Sequence, residues 1–104
     1  MSIQDEYSAE ESDLYEGRQR GEMAKALLDN PLWSEAFDHQ EQALMEWLRH
    51  GTDEQSSEAK QSLHLLDGLK RRLEHHVNTG TMAENRLNFI AEARDKLSRL
   101  FAAA

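Results

Sequence analysis

The stretch Leu27-Leu28-Asp29-Asn30-Pro31-Leu32-Trp33-Ser34-Glu35-Ala36-Phe37 holds the chain's one proline and decides how the rest is read. Proline disfavours helix at the residue before it, yet suits the first helical position, where its missing N–H is no loss. Asparagine at 30 is a good N-cap, because its side-chain oxygen accepts from the free N–H groups of the next turn. The stretch therefore reads as a corner, with one helix closing at Leu27 and Leu28 and another opening at Pro31. Downstream, Trp33, Phe37, Leu44, Trp47 and Leu48 recur at helical spacing, with Gln40 as the one polar interruption. Gly51 ends that helix, which spans about 31–50.

Working outward toward the C-terminus, Thr52 and Gln55 form a capping box that opens a helix over about 53–78. Its apolar stripe is Ala59, Leu63, Leu66, Leu69 or Lys70, Leu73 and Val77, close to a heptad repeat. Leu65 and Leu69 widen it, which favours a bundle face over a two-stranded coiled coil. Gly80 reads as a C-terminal stop, and Thr81 with Glu84 as a further capping box. A last helix over about 82–101 then turns Leu87, Ile90, Leu97, Leu100 and Phe101 inward. No segment alternates with period two for long enough to suggest a strand.

Upstream, a short helix is expected over about 18–29, with Met23, Ala26 and Leu27 on one face. Ser8 and Glu11 form a candidate capping box, but a helix from there would pass Gly17 and Gly21, each costing about 1 kcal/mol relative to alanine. Residues 1–17 therefore read as a flexible acidic arm, and 18–104 as one helical domain. The fold class is all-α: three long antiparallel helices in a small bundle, with a short N-terminal helix and the arm.

Charge sets the arm apart. Residues 1–16 hold six acids (Asp5, Glu6, Glu10, Glu11, Asp13, Glu16) and no base, against 14 acids and 12 bases in the remaining 88 residues. Such an arm repels free nucleic acid and acidic membranes. It reads either as a solubilising tail or as a segment that docks on a basic partner. Neither a basic, apolar leader nor a run of the roughly 18–20 apolar residues that cross a bilayer is evident. The expectation is a soluble protein with no membrane partner.

Few residues suggest chemistry. The chain has no cysteine, which excludes disulfides, thiolate nucleophiles and cysteine-ligated metals. The histidines (His39, His50, His64, His75, His76) form no Glu-x-x-His or His-Glu-x-x-His signature. No serine sits in a Gly-x-Ser-x-Gly elbow, and the five glycines stand singly, with no phosphate loop. The reading is of a protein without enzymatic activity, cofactor or metal. Lys70, Arg71 and Arg72 form a basic block able to contact phosphates, with Arg94, Lys96 and Arg99 as candidate additions. Trp33, Phe37, Trp47 and Leu48 are candidate protein-interaction anchors as well as candidate core, since tryptophan is enriched at interface hot spots.

The segments "ALLDNPLWSEAF" and "TDEQSSEAKQSLHLLDGLKRRLEHHVNTG" resemble short helical proteins encoded by tailed phages and prophages. The resemblance spans roughly residues 22–90 and leaves out the acidic arm. It implies a role in virion assembly or DNA packaging, in the host cytoplasm or the virion. The partner would be a phage structural or packaging protein, alongside further copies of the chain. It supplies no catalytic residues. Two other readings stand beside it: an acidic DNA mimic that binds a host nucleic-acid-binding protein, and a small packaging subunit gripping DNA through Lys70, Arg71 and Arg72.

Overall fold

A computed structural model describes residues 3–103, with side chains described for 9–102. It contains three helices, α1 (Ile3–Leu28), α2 (Pro31–His50) and α3 (Asp53–Ala103), and no strand among the described residues. The all-α expectation holds, but its partition into elements changes. Helix α1 is already formed at Ile3, where a flexible arm was expected as far as residue 17. Ser8 accordingly lies inside the helix and not at its start. The expected helices over 53–78 and 82–101 are one continuous helix of 51 residues.

The two connections follow local hydrogen bonding. The Asn30 side chain accepts from the N–H groups of Leu32 (2.9 Å) and Trp33 (3.2 Å), and its extended backbone hands the chain to Pro31 at the first helical position. At the far end of α2, the Gly51 N–H donates to the Trp47 carbonyl at 3.0 Å. Glycine is needed there for space: a Cβ would lie 2.5 Å from that carbonyl oxygen. The capping box forms as expected. The Thr52 N–H donates to Gln55 Oε1 (3.1 Å), and the Gln55 N–H donates to Thr52 Oγ1 (3.2 Å).

The chain divides into two units, a terminal one (Met1–Met23 with His76–Ala104) and a central one (Ala24–His75). In the terminal unit, α1 packs on α3 through small residues. A Cβ on Gly21 would lie 2.7 Å from Gly80 Cα and 2.8 Å from the His76 carbonyl oxygen. A Cβ on Gly17 would meet Ala83 Cβ at 3.7 Å. Positions fall along α1 as they rise along α3, so the two segments run antiparallel. Gly80 is therefore a contact residue and not a stop, and no glycine has positive φ. Thr81 does not cap a new helix either: its hydroxyl donates to the Val77 carbonyl at 3.1 Å, within the same helix.

The packing decides which faces turn inward, and on α3 one expectation is overturned. The inner face of α1 carries half-buried Leu14 and Gly17 and buried Gly21, while Met23 is 66% exposed and Ala26 and Leu27 are exposed too. The bulkier residues lie outside because the backbones approach too closely for side chains between them. On α3, Leu87 and Ile90 are buried as expected, together with Ala83, whereas Leu97, Leu100 and Phe101, also expected inward, are exposed.

In the central unit, α2 and the first half of α3 also run antiparallel. Leu48 meets Ser56 near the turn, where the Ser56 hydroxyl donates to the Leu48 carbonyl at 3.1 Å. Farther from the turn, Trp33 and Phe37 share a hollow with Lys70 and Leu73. Ala24, Leu44 and Ala59 are buried, and Leu63, Leu66 and Leu73 are half-buried. Leu65 and Leu69 are exposed and do not widen this face.

Candidate protein-interaction surface

The four aromatic and leucine anchors on α2 divide into two pairs. Trp33 and Phe37 lie one turn apart, their ring centroids 6.0 Å apart and tilted by 39°. Both are half-buried and line a hollow with Leu28, Leu73, Asp38 and Lys70, whose empty space of about 340 Å³ includes open solvent. Trp47 and Leu48, at the other end of the stripe, are 46% and 37% exposed. Near the turn, α3 offers only Gln55, Ser56 and Ala59 before its first leucine, Leu63. Of these, Ser56 and Ala59 are too small to cover an indole. The pattern of spacing identified the stripe, but the size of the facing residues decides how much of it is buried.

The basic block does not form one surface. Successive helical residues point about 100° apart, so Lys70, Arg71 and Arg72 spread over roughly 200° of the helix. Lys70 borders the hollow beside Trp33 and Phe37, while Arg71 is paired with Asp67 at 3.0 Å. Arg72 is exposed. Of the candidate additions, Arg99 pairs with Asp95 at 2.8 Å, and Arg94 is held by Glu11.

The acidic segment is engaged within its own chain. Glu10 accepts from Arg86 Nε at 3.1 Å, and Glu11 receives both terminal nitrogens of Arg94 in a bidentate pair. These two contacts bracket Ile90 and join α1 to α3 inside the terminal unit. Glu16 pairs with Arg20 on the same helix at 3.0 Å, and Asp13 is exposed. The side chains of Asp5 and Glu6 lie outside the described residues. Nothing in the local sequence singles out Arg86 as a partner of α1. The one available signal was the 3–4 spacing of Leu14, Gly17, Gly21, Ala24 and Leu28, which marks α1 as a packing helix with Glu10 and Glu11 one turn before it.

Glu46 and His50, four residues apart on α2, stand 3.9 Å from each other on an exposed face. Among the described residues, no group of three or more His, Asp or Glu is placed to hold a metal ion. Nor, among them, is any helix long and apolar enough to cross a membrane. No protein-family model, curated protein or solved structure matches the chain.

Proposed function

We propose that this chain is a non-enzymatic helical protein that works through protein–protein contacts, as a self-associating structural or adaptor subunit built as a small antiparallel bundle. One observation carries the reading: Trp47 and Leu48 stand exposed at the end of an otherwise packed stripe. A tryptophan held by a rigid helix with much of its ring in water is an efficient anchor, because docking buries a large area at small entropic cost. The setting, assembly or packaging in a tailed phage, rests on the sequence resemblance alone.

The test uses Trp33→Phe, which leaves Trp47 as the one indole. On a dilution series, the Trp47 emission should move to the blue and become harder to quench as the sedimenting mass rises above that of a monomer. A rising mass with unchanged emission would remove Trp47 and Leu48 from the interface. A strict monomer at tens of micromolar would end the self-association claim itself.

A further inference from the structure

Two places in the chain carry the same signal for ending one helix and starting another, and they have different fates. At the first, the chain turns: the Thr52 hydroxyl accepts from the Gln55 N–H at 3.2 Å, and Gln55 Oε1 accepts from the Thr52 N–H at 3.1 Å, just after Gly51. Gly80, Thr81 and Glu84 repeat that pattern at the same spacing, a glycine, a threonine, then an acceptor three residues on. Asn78 and Thr79 precede them, so four consecutive poor helix formers stand near the midpoint of α3. Yet α3 passes through them as one helix.

The neighbour differs between the two places. The space beside Gly51 is filled by its own turn, the Trp47 carbonyl and the Gln55 side chain. The space beside Gly80 is filled by α1: a Cβ there would lie 2.8 Å from Gly21 Cα and 3.3 Å from the Gly17 carbonyl oxygen. Across this glycine seam, α1 meets the His76 carbonyl, Gly80 and Ala83, positions that share one side only while the backbone is helical. The capping groups are meanwhile close to their other role. The Thr81 hydroxyl donates backward to the Val77 carbonyl at 3.1 Å, and Glu84 is exposed one turn ahead.

We propose that residues 78–84 are a conditional joint: α3 is continuous while α1 occupies the seam, and divides into two helices at Gly80 and Thr81 when α1 leaves. In the divided state the Thr81 hydroxyl gives up Val77 and accepts from the Glu84 N–H, while the Glu84 carboxylate accepts from the Thr81 N–H. Docking of α1 and continuity of α3 are then one two-state equilibrium, and each stabilises the other to the same extent. The ties of Glu10 to Arg86 and of Glu11 to Arg94 hold α1 in place just past the joint and favour the continuous state. The joint stands independently of the self-association proposed above.

Backbone chemical shifts and amide exchange of the full-length chain test it. Gly21→Leu keeps a good helix former in α1 but blocks the seam. In that variant, residues 79–82 should lose helical shifts while 53–77 and 85–100 keep them. The amides of Met82 and Ala83 should exchange about tenfold faster or more, with that of Glu84 still protected by Thr81. Adding Asn78→Ala, Thr79→Ala and Thr81→Ala, all exposed positions, should make α3 continuous again with α1 still released. On their own, the same three substitutions should slow exchange at Gly17 and Gly21 and leave α2 amides around Leu44 unchanged, because they remove the divided state to which release of α1 leads. An α3 that stays helical through 78–84 after α1 is released, or that unravels beyond Gly80 instead of dividing there, overturns the joint. So does exchange at Gly17 and Gly21 that the three alanines leave unchanged, and this result decides alone if Gly21→Leu fails to fold or to release α1.

Discussion

Gly21, Gly80 and Gly68 behave differently because of what lies opposite each. Gly21 and Gly80 touch backbone to backbone, so Gly21→Ala or Gly80→Ala forces the helices apart. Overpacking of this kind costs about 1–3 kcal/mol, more than the roughly 1 kcal/mol that alanine gains in helix propensity. A methyl group added at Gly68 would meet nothing within 4 Å, so Gly68→Ala should gain close to the full propensity difference. Urea unfolding midpoints should therefore fall for the first two and rise for the third. The caps separate in the same way. Asn30→Ala removes an acceptor from two N–H groups and should cost about 1 kcal/mol. Thr81→Ala loses only an intrahelical bond to Val77 and should stay within about 0.5 kcal/mol of the native chain.

At the scale of elements, the first turns of α1 depend on α3. Leu14 is the one large apolar residue that α1 contributes to the seam between residues 9 and 23, and the polar ties are Glu10–Arg86 and Glu11–Arg94. Exposed ion pairs contribute about 0–1 kcal/mol and weaken with salt. The Glu11 side chain is only 16% exposed, which makes its bidentate pair the stronger tie. Amide exchange over residues 9–16 should thus accelerate at high salt, while α2 amides around Leu44 change little. Arg94→Glu should produce the same local acceleration at low salt, and Glu11→Arg added to it should slow exchange again. If residues 9–16 exchange at the same rate in all these states, the pairs are not what holds this segment. In sequence these acids read as a free arm because their partners lie 76 and 83 residues away. No local pattern reports a pairing at that range.

For the molecule as a whole, few residues carry the stability of either unit. Among the described residues the buried apolar set is Ala24, Leu44, Ala59, Ala83, Leu87 and Ile90, half of it alanine. If self-association supplies the missing burial, the melting temperature should rise with protein concentration, because a partner that binds only the folded form stabilises it by mass action. A melting temperature independent of concentration would argue that each copy stands alone. By itself the sequence determined the all-α class, helix α2, the Asn30–Pro31 corner, the Gly51–Thr52 turn and the stripe from Trp33 to Leu48. Each of these rests on hydrogen bonds or side-chain spacing within a few residues along the chain. Only the tertiary structure decided that Gly80 joins two helices instead of ending one, that Met23 faces out while Gly21 faces in, and that Trp47 is left partly uncovered. A glycine reads the same whether it breaks a helix or lets another approach, and a stripe reads the same whether leucine or serine faces it. The neighbour across the gap settles each case.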